Sequence, residues 1–134
     1  MKVHHIGYAV NDIQKSLVMF QKIGYTIESG PVKDIKRNVE IAFIQNNNYN
    51  IELIAPLNND SPIKNYLNKV GNTPYHICYE TDNILTTINE LKKQRYIVIE
   101  KPSEAIALES LRIAFLYHPF YGLLELLERK KIEQ

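Results

Sequence analysis

Four residues are placed as if by one rule. His5 and His76 each open a strand-like run, and Glu52 and Glu125 each interrupt an otherwise apolar one. Histidine and glutamate stand 47 residues apart in the first half of the chain and 49 apart in the second. A carboxylate buried among apolar strands is costly unless something compensates its charge. A divalent cation is the simplest partner able to satisfy both carboxylates. With two neutral imidazoles and two carboxylates around it, the site is net neutral. That mixed nitrogen and oxygen set suits Zn, Ni, Co, Mn or Fe rather than a soft metal. A single strand histidine is ordinarily a packing residue, and a single strand glutamate can face solvent. Four such residues at matching positions argue for one metal site.

The matching positions come from an internal repeat. His5-Ile6-Gly7-Tyr8-Ala9-Val10, then Asn11-Asp12 and a run from Ile13, is echoed by His76-Ile77-Cys78-Tyr79-Glu80-Thr81, then Asp82-Asn83 and a run from Ile84. His5 and His76, Tyr8 and Tyr79, Ile13 and Ile84, Leu17 and Ile88, and Phe20 and Leu91 are all 71 residues apart. An offset shared by strand, turn and helix makes the chain two copies of one unit.

Each copy reads as β-α-β-β-β. Residues 3–10 alternate and are rich in strand formers, with His5, Gly7 and Ala9 on one face. Asn11 or Asp12 suits a helix N-cap, the apolar stripe Ile13, Leu17 and Phe20 follows, and Gly24 ends the helix. A second strand is expected over Tyr25–Ser29 with a turn at Gly30-Pro31, then strands Val39–Ile44 and Tyr49–Ala55, stopped by Pro56. A linker over 58–74 holds a short helix, with Ser61 as N-cap, Ile63, Tyr66, Leu67 and Val70 as its apolar side, and Gly71 as its cap. In the second copy Asp82 is the expected cap of a helix carrying Ile84, Ile88 and Leu91. Its strands are expected at Tyr96–Ile99, Arg112–Tyr117 and Gly122–Leu127, with an irregular loop over Lys101–Glu109.

Bulk properties narrow the function. The 134 residues are 45% hydrophobic and 23% charged, and 16 basic against 15 acidic side chains leave a net charge of +1. That balance gives no reason to expect a nucleic-acid or membrane partner. Two short basic clusters, Lys33, Lys36 and Arg37, and Arg129, Lys130 and Lys131, read as solvated. The one cysteine, Cys78, excludes an internal disulfide and fits a reducing compartment. With no signal-like N-terminus and no apolar run near the roughly 18 residues that span a bilayer, a cytoplasmic protein is expected.

The motifs His5-Ile-Gly-Tyr-Ala-Val-Asn-Asp, Asn50-Ile-Glu-Leu-Ile-Ala-Pro56, Tyr75-His-Ile-Cys-Tyr-Glu80 and Arg112-Ile-Ala-Phe, followed by His118-Pro119 and Gly122-Leu-Leu-Glu-Leu-Leu-Glu128, occur in that order. Over residues 3–128 the chain resembles the vicinal oxygen chelate superfamily, which contains glyoxalase I and methylmalonyl-CoA epimerase. The resemblance implies an α+β fold, one domain over residues 1–134, in which two tandem βαβββ modules (about 3–57 and 75–128) form a cupped mixed sheet around a metal site. It implies His5, Glu52, His76 and Glu125 as ligands of one divalent ion (Zn, Ni, Co or Mn), with Glu125 as acid/base and Glu52 as its counterpart. The implied chemistry is proton transfer at a carbon α to a carbonyl, as in a lactoylglutathione lyase or a methylmalonyl-CoA epimerase. A thiol adduct or an acyl-CoA would be the substrate, and a homodimer the assembly. Ala9 and Pro56 stand where bacterial glyoxalase I carries glutathione-binding side chains, and Lys36-Arg37 where the epimerases place an acidic residue.

Other residues have humbler readings. Arg37 with its neighbouring lysines can bind a substrate carboxylate or phosphate, although a solvated loop is the plainer expectation. His118 reads as a turn residue, His4 as structural, and Cys78 as a small buried thiol sharing the face of His76. Tyr66 and Tyr75 are expected to pack near the linker. Two other functions share this fold. Antibiotic sequestration needs no metal and no buried carboxylates, so the His-Glu-His-Glu set argues against it. Ring-cleaving dioxygenases use two His and one Glu on iron, and a fourth ligand at Glu52 argues against those.

Overall fold

The structure, a computed structural model, describes residues 1–130. Lys131, part of one expected basic cluster, lies outside them. The first module comprises β1 (Lys2–Ala9), α1 (Ile13–Lys22), β2 (Thr26–Asp34), β3 (Val39–Asn46) and β4 (Tyr49–Pro56). A short helix, α2 (Lys64–Val70), follows. The second module comprises β5 (Thr73–Thr81), α3 (Ile84–Lys93), β6 (Ile97–Ala105), a single 3₁₀ turn at Ile106–Leu108, β7 (Leu111–His118) and β8 (Gly122–Glu128). The chain divides into two compact units, His5–Tyr75 and the segment from His76 together with Met1–His4. None of the described helices is long and apolar enough to cross a membrane.

The strand order is β2-β3-β4-β1 in the first module and β5-β8-β7-β6 in the second. In each, the first and last strands pair in parallel (β1 with β4, β5 with β8), and the other neighbours are antiparallel. A parallel pair needs a crossover, and the helix after the first strand supplies it.

The helix starts follow from local chemistry. Asp12 is extended (φ −136°), and its side chain accepts a hydrogen bond from the Lys15 backbone N–H, capping α1. Asn83 does the same for α3 through the Thr86 N–H. Gly24, at φ +106°, sits just past the end of α1, where a side chain would be strained.

Each helix covers one face of its own sheet. Ile13 and Leu17 of α1 pack with Val10, Ala42, Ile44, Ile51 and Leu53. Ile84, Ile88 and Leu91 of α3 pack with Ala114, Leu116, Leu124 and Leu126. Each such aliphatic side chain stabilises by about 2 kcal/mol when fully buried. Strand side chains alternate, so the residues between these core positions point to the other face. The histidines and glutamates are on that other face.

Four expectations need correction. β2 does not stop at Ser29 for a turn at Gly30-Pro31; it continues to Asp34, with register shifts against β3 either side of Ser29. β6 likewise runs through Ala105 where a loop was expected, with shifts either side of Glu100. Bulges of this kind break the period of two that marks a strand in sequence. Asp82 is not the α3 cap, because Asn83 has the extended backbone, and Asp82 pairs instead with Arg129 at 2.9 Å. Ser61 does not cap α2, whose cap position is Ile63 with no side-chain hydrogen bond; Ser61 is buried instead.

Candidate metal centre

The first histidine–glutamate pair is set by two adjacent parallel strands. Gly7 of β1 lies opposite Glu52 of β4, so His5, two residues before Gly7, projects to the same face as Glu52. His5 Nε2 lies 3.7 Å from Glu52 Oε2. Phe43 of β3 is the cross-strand partner of Glu52, and its ring meets the His5 imidazole edge to face, with centroids 5.3 Å apart at 74°.

The second pair repeats the design. Cys78 of β5 lies opposite Glu125 of β8, and His76 stands two residues before Cys78. His76 Nε2 lies 2.9 Å from Glu125 Oε1. Phe115 of β7 is the cross-strand partner of Glu125 and packs on the His76 ring, with centroids 5.3 Å apart at 90°.

Burial decides how these pairs are to be understood. His5 is 1% exposed, Glu52 4%, His76 4% and Glu125 1%. Surface ion pairs contribute little, but a buried carboxylate without compensation is strongly destabilising. Each unit thus holds one imidazole nitrogen and one carboxylate oxygen side by side, away from water. These are the donors a borderline divalent cation takes, and each imidazole presents the same nitrogen, Nε2, toward the carboxylate. The donor chemistry therefore fits a resident divalent ion.

The remaining sequence candidates fall elsewhere. Arg37 is tied to Asp34: its backbone N–H donates to Asp34 Oδ1 at 3.1 Å and its Nη1 to Oδ2 at 2.9 Å. Lys33 and Lys36 are exposed. His118 ends β7 and accepts a hydrogen bond from the Phe120 N–H through Nδ1. Cys78 is fully buried and not in a disulfide, as expected for a small packing thiol. Tyr66 and Tyr75 pack against each other, with centroids 5.7 Å apart. Phe43 and Phe115 were not singled out in the sequence. The signal was there: each is the aromatic residue of an apolar strand at the same place in the repeat.

Residues 4–115 match the Glyoxalase/Bleomycin resistance protein/Dioxygenase superfamily, and the chain belongs to that family. Its relatives include proteins named for one reaction. It is 30% identical over 131 residues to the ethylmalonyl-CoA/methylmalonyl-CoA epimerase of Cereibacter sphaeroides, covering 96% of this chain and 97% of that protein. It is 34% identical over 96 residues to the mitochondrial methylmalonyl-CoA epimerase of Homo sapiens, covering 70% of this chain but only 54% of that protein. Among solved structures, a variant of Streptomyces coelicolor methylmalonyl-CoA epimerase in complex with 2-nitronate-propionyl-CoA superposes with a TM-score of 0.85. That match covers 98% of this chain and 99% of the other at 21% identity. The fold is therefore the family's α+β fold of paired βαβββ modules.

Proposed function

We propose that this chain is a metal-dependent epimerase of a 2-substituted malonyl-CoA thioester, with methylmalonyl-CoA the substrate to test first. The observation that carries the reading is the pair of buried histidine–glutamate couples at equivalent positions of the repeat. The epimerase names of its relatives supply the substrate class. One donor atom each from His5, Glu52, His76 and Glu125 would hold one divalent ion. Such an ion supplies Lewis acidity toward a substrate carbonyl, lowering the barrier to removing the proton on the neighbouring carbon.

This chain's own residues do the rest. Glu125 is placed to take the α-proton, as a carboxylate held beside an imidazole in a dry setting. Phe43 and Phe115 hold the two imidazole planes and keep water from them. The carbon between a thioester and a carboxylate is already activated, so a carboxylate base suffices. A buried thiol and an acyl-CoA substrate fit a cytoplasmic enzyme, and sedimentation tests the homodimer that belongs to the same reading.

The test is turnover by protein purified without chelator and reloaded separately with Co, Ni, Mn or Zn. Interconversion of the 2R and 2S forms of methylmalonyl-CoA, lost on chelation and in Glu125→Gln, is the expected result. No interconversion with any metal overturns the reading. Turnover of a methylglyoxal–thiol adduct instead would make the chain a lyase of the glyoxalase type.

A further inference from the structure

An epimerase must take a proton from one side of a carbon and return one to the other side. That requires two groups, and Glu125 is one. We infer that Glu100 is the other, the residue that donates to the opposite face of the same carbon. This inference rests on the epimerase reading above.

The argument begins with register. Glu100 of β6 is the cross-strand partner of Phe115 of β7, and Phe115 is the partner of Glu125 of β8. Residues directly opposite one another on antiparallel strands project to the same face. Glu100, Phe115 and Glu125 therefore form one transverse row on the face that also bears His76, whose ring lies against Phe115. The two carboxylates are the ends of the row and the phenyl ring is its floor.

Spacing is consistent with the role. Two inter-strand steps place the backbones of β6 and β8 about 10 Å apart. A carbon flanked by two carboxyl groups, each within hydrogen-bonding reach, needs them about 6 Å apart, a gap that inward-leaning side chains meet. Burial also divides the roles. Glu125 is 1% exposed, whereas Glu100 is half-buried and able to exchange its proton with solvent between turnovers.

The repeat shows that this carboxylate belongs to one module only. The corresponding row of the first module is Ser29, Phe43 and Glu52. Ser29 and Glu100 are 71 residues apart, the offset of the repeat, and serine cannot return a proton as a carboxylic acid does. Of the other carboxylates, Asp34 is engaged by Arg37, and Glu128 by Arg112 and the Ile84 N–H. The step balances: the C–H bond breaks, Glu125 takes the proton, and the electron pair passes into the thioester carbonyl. The carbon then takes a proton from the carboxylic acid of Glu100, inverted, and solvent restores both groups.

The experiment follows the α-proton in D2O, starting from each epimer separately, for the metal-loaded wild type, Glu100→Gln, Glu100→Asp and Ser29→Ala. Glu100→Gln is expected to keep metal content and thermal stability while losing interconversion by about 100-fold or more, the usual size of a general acid–base contribution. It should still exchange the α-proton of one epimer, the one Glu125 deprotonates, and not of the other. Glu100→Asp should recover part of the interconversion, and Ser29→Ala should leave it near wild type. Interconversion in Glu100→Gln within about threefold of wild type, or equal loss of exchange from both epimers, overturns the inference. A wild type that exchanges neither epimer refutes the epimerase reading itself.

Discussion

Glu128 offers a quantitative test of how the second module holds its histidine–glutamate pair. It ends β8, three residues after Glu125, and lies opposite Thr81 of β5, the strand that carries His76. Its carboxylate accepts from Arg112 Nε at 3.0 Å and from Arg112 Nη2 at 2.9 and 3.1 Å. It also accepts from the Ile84 backbone N–H at 2.9 Å, which ties the start of α3 to the sheet. The Arg112 side chain is 42% exposed and that of Glu128 19%, so the ion pair is screened and contributes about 1 kcal/mol rather than the value of a buried pair. The bond to the helix N-terminus adds about 1 kcal/mol, as a side-chain cap does. Glu128→Ala should therefore destabilise by about 2 kcal/mol. At this chain length that lowers the melting temperature by about 7 °C. Thermal unfolding followed by circular dichroism measures it, with Arg112→Ala and the double variant completing a cycle. Arg112→Ala alone should cost about half as much, because the helix bond survives. A shift under about 2 °C for Glu128→Ala, or additive single and double variants, would refute the reasoning.

Three further outcomes follow from local geometry. Gly30→Ala should destabilise by about 2 kcal/mol or more, because Gly30 has φ +85° and an added Cβ would lie 2.6 Å from the Ile41 carbonyl oxygen; denaturant melts check this. Phe43→Leu and Phe115→Leu should keep the fold but weaken metal affinity about 10-fold each by releasing the His5 and His76 rings, read by titration with Co(II). Burial and the hydrogen bond Tyr121 donates to Tyr79 hold the Tyr121 phenol above its usual pKa of 10.0. The folded state keeps that proton where the unfolded chain loses it, so this contribution is complete below pH 10 and fades as pH rises beyond it. Wild type should lose more stability than Tyr121→Phe between neutral and strongly alkaline pH, in paired melts.

The repeat made most of the architecture legible. α1 at Ile13–Lys22 and α3 at Ile84–Lys93 differ by the same 71 residues first seen in the histidines, and so do β2 at Thr26–Asp34 and β6 at Ile97–Ala105. That last correspondence escaped a reading by alternation, because both strands are bulged. Pro31 and Pro102, also 71 apart, look like breakers until they are placed on the outermost strand of a module, where a missing N–H is tolerated. Carrying the offset through the second strand would have recovered β6. The histidines and glutamates were readable because polar residues in apolar strands stand out. Phe43 and Phe115 were not, because aromatic residues in strands are ordinary, and only the register places each beside its histidine. Asn83 outcompeted Asp82 as a cap by backbone geometry alone, which no composition rule resolves between two good cap residues in sequence.

The central claim is that His5, Glu52, His76 and Glu125 act as one ligand set. Elemental analysis of protein purified without chelator, with Co, Ni, Mn or Zn restored, tests it most directly. The account predicts about one divalent ion per chain, lost or greatly weakened in Glu125→Gln and in His5→Ala. Protein that binds none of these metals, or that binds them equally well after both substitutions, would contradict it.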